Sequence, residues 1–450
     1  MLVIVLLRRL SGARCGLLAA LALSIGASGP ALGQLRLPGG LPNLPALPTP
    51  RVNVPPVSTR PVESLLDLRR QLVRELLREH ADVLEADPAG EPIVRHELLL
   101  VSPPPAALAA ALGAGFTLLR EEAFEGLEEL RSVVLRPPPG RSTAQALAML
   151  RAIDPALVAD FNHVYTRSGE VGATAGAGAA SAAAQAASHA RVGLVDSGVA
   201  ASHPALRGAT LKRWGCEGAE WPSSHGTAVA SLLVGLDPPF NGVLPGATLY
   251  AADVYCGQPI GGSADRIAQA LAWLARERVA VVNVSLVGPA NRLLEQAVHA
   301  LATRGHLVVA AVGNDGPAAP PLYPAACADA VGVTGVNRAR RVLPEAAQGP
   351  QVAFASPGAE LAAASFGEPG QGTYGAVRGT SFAAPLVAGL LAARLASPEP
   401  AAARAALQTL AHEALDLGAA GRDPVFGWGL VGEASRIAPE AMQASARTAR

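Results

Sequence analysis

At 450 residues, the chain is longer than one ordinary domain and long enough to bury a sizeable hydrophobic core. Its 36 basic and 36 acidic residues balance, which removes any global electrostatic argument for nucleic acid or an anionic membrane as a partner. Aromatic residues make up 4% of the chain, which gives no support for base stacking either.

Residues 1–33 have the pattern of an export signal. Three arginines precede an apolar stretch at 16–28, and the small-x-small site Ala31-Leu32-Gly33 follows it. At about a dozen residues, the apolar stretch is short for a membrane span of roughly 20, so cleavage is favoured over a membrane anchor. We therefore expect an exported protein, secreted or periplasmic, without a stable membrane anchor.

Export changes how the cysteines are interpreted, because an exported protein matures in an oxidising compartment. Cys15 leaves with the signal, and Cys216, Cys256 and Cys327 remain. We favour a disulfide between Cys216 and Cys256, since both lie in glycine-containing loops, while the other pairings stay open. No spacing among the cysteines is typical of a zinc site, so no metal site is expected.

The region 34–92 combines a spacer with a helix. Proline recurs every few residues from 34 to 61 without apolar periodicity, which is typical of an extended chain. An amphipathic helix is predicted at 62–84, with a leucine-rich stripe on one side and Arg and Glu over the rest. We interpret it as a packing helix.

Residues 93–167 predict a small α+β module. Its predicted elements are a strand at 97–101, a helix at 104–112, strands at 116–120 and 131–135, a helix at 143–153 and a strand at 157–165. The order β-α-β-β-α-β is that of a ferredoxin-like fold. His96 and His163 are isolated in it, so no catalytic role is expected there. The Gly/Ala/Ser-rich run 168–190 then predicts a flexible, cleavable linker.

Strands and helices alternate over 191–437, before a tail at 438–450. The predicted strands are 192–195, 249–254, 279–285, 307–312, 330–336 and 352–355, and the predicted helices include 227–236, 264–276, 292–304 and 382–395. Near-continuous Val and Ala strands that alternate with helices predict an α/β fold, a mostly parallel sheet with helices on both faces. In such sheets, sites form beyond the carboxyl ends of the strands.

Four polar residues fall at element ends in this part of the chain. Asp196 ends the first strand, His225 opens a helix, Asn314 follows a strand, and Ser381 opens the last long helix. Pro385 is placed in the first turn of that helix, where a missing N–H costs little. Alone, each polar residue is an ordinary cap or turn residue.

Together, the four side chains supply the parts of acyl-transfer chemistry. A hydroxyl is a poor nucleophile, so Ser381 needs the imidazole of His225 to take its proton. His225 in turn needs the Asp196 carboxylate to hold its tautomer and stabilise its charged form. The Asn314 amide and the Ser381 backbone N–H would hold the oxyanion. This chemistry requires no cofactor.

The stretches that contain these residues resemble those of the subtilisin-like serine peptidases. They are Val195-Asp196-Ser197-Gly198-Val199, His225-Gly226-Thr227-Ala228-Val229-Ala230, Val312-Gly313-Asn314 and Gly379-Thr380-Ser381-Phe382-Ala383-Ala384-Pro385. The resemblance covers 191–437 and implies a serine endopeptidase that acts on protein or peptide substrates. It also implies that two segments wall the pocket for the residue before the scissile bond. Those segments contain Ser285, Leu286, Val287 and Gly288, and Ala311, Val312 and Gly313.

The resemblance further implies a zymogen. Many family members carry a small ferredoxin-like propeptide that blocks the site as an intramolecular inhibitor until the linker is cut, and 93–167 would be that propeptide. Val287 stands where the family often has glycine, so we expect a narrowed pocket that prefers small or modest apolar side chains. Structural calcium is frequent in relatives, but no Asp/Asn run signals a calcium loop here, so calcium is left open.

Two other functions stay open. The first is a non-catalytic exported binding protein on the same scaffold, and the second is an esterase that uses the same triad. No Gly-x-Ser-x-Gly elbow surrounds Ser381, which argues against the usual hydrolase route to an esterase.

Overall fold

The computed structural model describes residues 60–167, 169–175, 189–366 and 372–442. The predicted export signal, the proline-rich spacer up to 59, most of the predicted linker and residues 443–450 of the tail lie outside these ranges. Among the described residues, no helix combines the length and the apolar character that crossing a bilayer requires.

The amino-terminal part contains three helices and five strands. They are α1 Arg60–Glu79, β1 Leu84–Ala86, β2 Pro92–Val101, α2 Pro105–Gly113, β3 Thr117–Ala123, β4 Arg131–Arg136, α3 Thr143–Ile153 and β5 Ala159–Arg167. The main strands lie in the order β5-β2-β4-β3 with antiparallel neighbours, and β1 pairs with β2. From β2 to β5 the element order is the predicted β-α-β-β-α-β, whereas α1 ends five residues before the predicted helix end at 84.

This small sheet is covered on both faces because its strands alternate their side chains. Leu98 and Leu100 pack in one hydrophobic cluster with α2 and α3. Leu99 and Val101 point the other way and join a cluster that includes residues 264–301 of the larger part. The module is therefore packed directly against the rest of the chain.

The larger part is built on a parallel sheet. Its seven strands are β7 Arg191–Asp196, β8 Thr210–Trp214, β11 Thr248–Asp253, β13 Val281–Val284, β15 Leu307–Ala311, β16 Ala330–Val336 and β17 Val352–Pro357. Their order is β17-β16-β15-β13-β7-β11-β8, and every neighbouring pair is parallel.

Helices cover both faces of this sheet. The helices are α4 Ser224–Val234, α5 Ala264–Arg276, α6 Arg292–Thr303, α7 Thr380–Ala392 and α8 Pro400–Glu413. Along β15, Val309 and Ala311 join the cluster of α4 and α7, whereas Val308 and Ala310 join that of α5 and α6. This arrangement confirms the predicted α/β fold, with α8 as an additional helix.

Short strands complete the fold. They are β6 Glu170–Ala175, β9 Leu236–Asp237, β10 Phe240–Asn241, β12 Gly262–Ser263, β14 Leu286–Val287, β18 Leu361–Phe366 and β19 Gly372–Arg378. β6 lies inside the predicted linker 168–190, so the structure differs from the prediction there. The physical reason is that β6 pairs with β19, which itself pairs with β18 in an antiparallel sheet.

The structure contains the disulfide that the sequence analysis favoured. Cys216 and Cys256 form a disulfide that joins the turn after β8 to the loop after β11. Cys327 is a buried free thiol, and burial raises its pKa to about 12. A thiol held protonated in this way is a poor nucleophile at neutral pH.

Candidate active site

The candidate residues meet at the carboxyl-end rim of the parallel sheet. Asp196 is the last residue of β7, and Asn314 follows β15. β13 lies between these two strands and leads into Ser285. His225 and Ser381 are each the second residue of a helix, α4 and α7, and both helices pack on the same face of the sheet. The fold therefore brings together residues that are far apart in sequence.

Asp196 and His225 are in direct contact. The Nδ1 atom of His225 lies 2.9 Å from Oδ1 of Asp196, and both side chains are buried. An Nδ1 that faces a carboxylate carries the proton, which leaves Nε2 as the acceptor. Nε2 is buried and makes no hydrogen bond with any described residue. The imidazole is thus held in the orientation that a general base needs.

Ser381 and Ser285 are tied by two reciprocal hydrogen bonds. The Ser381 hydroxyl donates to the Ser285 carbonyl at 3.2 Å, and the Ser285 hydroxyl donates to the Ser381 carbonyl at 2.9 Å. Pro385 lies in the second turn of α7, beyond its predicted place in the first. Because Pro385 has no N–H for the carbonyl four residues earlier, the Ser285 hydroxyl supplies the bond that the helix lacks.

His225 lies beside Phe382, the residue that follows Ser381. The rings of His225 and Phe382 have their centroids 5.4 Å apart. The Ser381 hydroxyl is directed to Ser285 in this state, and catalytic hydrogen bonds of this kind often tighten only when a substrate is bound. The structure therefore joins Asp196 to His225 directly and places Phe382, the residue after Ser381, against the imidazole ring.

The Asn314 amide is fixed with its donor end unpaired. Its Oδ1 accepts from the Thr380 N–H at 3.0 Å, and its Nδ2 is buried without a hydrogen-bond partner among the described residues. A Cβ placed on Gly379 would stand 2.9 Å from that Nδ2, and Gly379 has a φ of +135°, so glycine is required there. The arrangement leaves a buried N–H donor next to Ser381, as an oxyanion site needs.

A segment of the chain itself passes through this rim. In β5, Thr166 and Arg167 pair antiparallel with Val287 and Leu286 of β14. On the other side of the same strand, Val164 and Tyr165 pair with β12. Gly169 then lies against Gly379 and the Phe382 ring, and β6 continues along β19. The backbone is therefore strand-paired both before the candidate site, at 164–167, and after it, in β6.

Tyr165 fills a closed pocket beside this path. Its side chain is fully buried, and its hydroxyl donates to the Pro289 carbonyl at 2.6 Å. A Cβ on Gly288 would stand 2.6 Å from the Tyr165 ring, so the pocket depends on glycine at 288. Of the residues predicted to wall a pocket, Leu286, Val287 and Gly288 thus contact the segment.

The second predicted wall, Ala311, Val312 and Gly313, does not line the cavity at this rim. Val287 and Asn314 line a cavity of about 590 Å³, together with Thr166, Arg167 and Gly169. Ala311 and Val312 are fully buried in the two hydrophobic clusters of the sheet and do not line that cavity. Gly313 precedes Asn314, and its N–H donates to the Thr380 hydroxyl at 3.1 Å.

The helix α1 covers the cavity. The sequence did not predict this position for α1. Leu68, Leu72 and Leu76 line the cavity together with Val287. Next to them, Arg69 places Nε 2.7 Å from Oδ2 of Asp315 and donates both terminal nitrogens to Glu91 at 2.7 and 2.9 Å. Burial raises the pKa of the Asp315 carboxyl, and the charge of Arg69 opposes that rise.

Comparison with known proteins identifies relatives over the larger part of the chain. The model of the subtilase family matches residues 187–429. The minor extracellular protease Epr of Bacillus subtilis is 32% identical over 217 residues, covering 46% of this chain and 32% of Epr. The M-protease of Shouchella clausii is 37% identical over 212 residues, covering 46% of this chain and 53% of the relative.

Two further comparisons extend this likeness. Subtilisin Savinase of Lederbergia lenta is 37% identical over 212 residues, covering 46% of this chain and 76% of the relative. Fervidolysin from Fervidobacterium pennivorans, a keratinolytic enzyme related to subtilisin, matches in structure with a TM-score of 0.62 at 19% identity. That match covers 80% of this chain and 62% of fervidolysin and shows a shared fold. The chain thus spans about half the length of M-protease and one third that of Epr.

Proposed function

Because the chain belongs to the subtilase family, we propose that it is an exported serine endopeptidase that is made as a zymogen. The observation that carries the proposal is the 2.9 Å contact between Asp196 and His225 at the rim where residues 164–167 pair with β12 and β14. The substrates are proteins or peptides that take the place of this segment.

In the proposed reaction, Ser381 attacks the carbonyl carbon of the scissile peptide bond. Nε2 of His225 takes the hydroxyl proton and then delivers it to the leaving amine, while Asp196 stabilises the imidazolium. The Asn314 Nδ2 and the Ser381 backbone N–H donate to the oxyanion of each tetrahedral intermediate. Water, deprotonated by His225, then attacks the acyl-enzyme, and His225 returns the proton to Ser381.

The substrate is held mainly by its backbone in this proposal. β12 and β14 flank β5 from opposite sides, and both pair with it antiparallel. A bound peptide in the place of β5 would add a strand between them, and such main-chain pairing gives affinity with many sequences. Side-chain pockets such as that of Tyr165 would then supply selectivity.

The zymogen proposal rests on the same segment. Arg167 pairs with Leu286 on one side, and Gly169 contacts Gly379 and Phe382 on the other. We therefore place the maturation cut at the bond between Ser168 and Gly169. Before that cut, 93–167 act as an intramolecular inhibitor whose residues 164–167 occupy the substrate groove, with 1–33 as the export signal.

The test compares the full chain with its Ser381→Ala variant, expressed with export. The wild-type protein is expected to shorten to a form that begins at Gly169, to hydrolyse casein and to react with a fluorophosphonate probe. Ser381→Ala is expected to remain a folded precursor without any of these activities. Ser397→Ala, at an exposed serine, is the matched control and should behave as wild type.

Three outcomes would contradict the proposal. Casein hydrolysis by purified Ser381→Ala would remove the nucleophile assignment, whereas a wild-type protein that never reacts with the probe would favour a binding protein. Turnover of simple esters without any peptide hydrolysis would favour an esterase. Amino-terminal sequencing of the shortened form tests the cut site separately.

A further inference from the structure

Arg167 extends from the segment in the groove to two residues of the larger part. Its Nη1 donates to the Ser223 hydroxyl at 3.2 Å, and its guanidinium carbon lies 5.5 Å from the centre of the Tyr255 ring. A guanidinium over an aromatic face within about 6 Å is attracted by the ring's quadrupole. Both contacts are made by the side chain, and the contact with the ring requires a cation at this position.

Tyr255 presents its ring in a fixed orientation. The side chain is 6% exposed, and its hydroxyl lies 3.5 Å from the Tyr165 carbonyl, to which it donates. Burial raises the pKa of the phenol, so it stays neutral and remains a donor. A ring held in this way loses little side-chain entropy when a substrate cation is placed over it.

Ser223 connects Arg167 to the candidate triad. The hydroxyl oxygens of Ser223 and Ser197 lie 2.9 Å apart, and the Ser197 hydroxyl also lies 2.9 Å from Oδ1 of Asp196. Ser197 has one hydroxyl proton, and the carboxylate is the stronger acceptor, so Ser223 donates to Ser197. The remaining lone pair of Ser223 then accepts from Arg167.

The resulting chain of hydrogen bonds selects for a donor at its outer end. It runs from Arg167 through Ser223 and Ser197 to Asp196, and every proton points toward the carboxylate. A side chain that carries only acceptors could not occupy the outer end without reversing a bond. A substrate carboxylate there would also face the negative charge of Asp196.

We propose that Tyr255 and Ser223 form a recognition site for a basic side chain two residues before the scissile bond. This inference rests on the proposed function, because it assigns the place of Arg167 to the substrate. Arginine is preferred over lysine, since its planar guanidinium both stacks on a ring and donates from several nitrogens. The substrate class is therefore peptides with arginine in this position.

The experiment uses the matured wild-type enzyme and internally quenched peptides. Their core is Tyr-Thr-Arg-Ser-Gly, as at 165–169, with the arginine replaced in turn by lysine, alanine and glutamate. We expect kcat/KM to fall in the order Arg, Lys, Ala, Glu, with arginine favoured over alanine about tenfold, from one cation–π contact and one hydrogen bond on a partly exposed side chain.

Three enzyme variants test whether Tyr255 and Ser223 cause the preference for arginine. Tyr255→Leu and Ser223→Ala should each reduce the arginine-to-alanine ratio by about threefold, as expected when one of two comparable contacts is removed. Tyr255→Phe keeps the ring and should keep the ratio. Because each ratio is measured within one enzyme, a variant with less folded protein still reports it correctly.

The outcomes separate this inference from the function that it rests on. Equal kcat/KM for the arginine and alanine peptides in the wild type, or an unchanged ratio in both Tyr255→Leu and Ser223→Ala, would overturn the recognition site alone. Hydrolysis of none of the peptides by matured enzyme would overturn the proposed function and this inference with it.

Discussion

Arg69 of α1 lies 2.7 Å from the carboxylate of Asp315, the residue that follows Asn314 in the sequence. The same guanidinium donates two hydrogen bonds to Glu91, which precedes β2. One side chain therefore ties the amino-terminal helix to the small module and to the rim of the candidate active site.

Arg69→Ala is expected to loosen α1 from this rim. In the inactive Ser381→Ala background, removal of these charged hydrogen bonds should lower the free energy of unfolding by about 1–3 kcal/mol. The loss also leaves Asp315 without its counter-charge, so the pKa of that carboxyl should rise further. Chemical denaturation measures the stability.

The control for this prediction is Arg70→Ala. Arg70 pairs with Asp67 on the exposed side of the same helix, and such surface pairs contribute little. With Ser381 present, Arg69→Ala should also mature faster than Arg70→Ala. Equal stability and equal maturation of the two variants would show that the Arg69 contacts do not hold α1 in place.

Asn314→Asp isolates the donor of the proposed oxyanion site. Aspartate keeps an oxygen for the Thr380 N–H but lacks the amide donor and adds a negative charge near the developing oxyanion. We expect kcat for a peptide substrate to fall by about 100- to 1000-fold or more, with a smaller change in KM. Steady-state kinetics measures both, and a kcat near the wild-type value would exclude this role for Asn314.

Val287→Gly is expected to widen the cavity in front of Asn314. Val287 lines that cavity, while its pairing with Thr166 uses only the backbone, which glycine retains. Wild-type enzyme should cleave after small or modest apolar residues, and the variant should gain cleavage after Phe and Tyr relative to Ala. Peptide-library profiling compares the two enzymes. A wild type that already prefers Phe, Tyr or Arg would remove the basis of this prediction.

The contact between Arg120 and Asp265 makes the precursor sensitive to acid. Burial alone would raise the pKa of the Asp265 carboxyl, but the charge of Arg120 and hydrogen bonds from Ser263 and Asn162 bring it below its ordinary 3.8. The stability that the carboxylate contributes is therefore present above about pH 4 and is lost as the pH falls through the lowered pKa.

Asp265→Asn tests this dependence in the Ser381→Ala background. The variant should be less stable than its parent at pH 7, by about 1–3 kcal/mol for a buried charged contact, and the difference should shrink toward pH 2–3. Urea unfolding at several pH values measures the gap. A gap that stays constant with pH would mean that Asp265 does not titrate in this range.

Much of the candidate site could be predicted because its signals are local. Asp196 ends a short apolar strand, and Ser381 is the second residue of a long apolar helix. The rule for the carboxyl ends of parallel strands then placed these residues at one rim. The reciprocal hydrogen bonds between Ser285 and Ser381 could not be predicted from the sequence, because they depend on how β13 and α7 pack.

Other features depend on partners that a local pattern does not specify. The leucine stripe of α1 predicted a packing helix, but not that its Leu68 and Leu72 would line the cavity beside Asn314 and stay about half exposed. β6 contains Gly and Ala, which are weak strand formers, and it is a strand because β19 pairs with it. The start of α8 could have been predicted from the sequence, because Pro400 is its first residue and Glu399 caps it.

The pairing of β6 with β19 has a consequence for the first catalytic cycle. After the proposed cut, the new amino terminus at Gly169 would remain part of the enzyme's own polypeptide, and β6, which follows it, would stay paired with β19 beside the proposed triad. Dilution cannot remove it, because its effective concentration is set by the tether and not by the amount of protein. On the proposed function, the first leaving group of each molecule would thus compete with substrate from within the same chain, and its release from β19 would proceed at a rate independent of enzyme concentration.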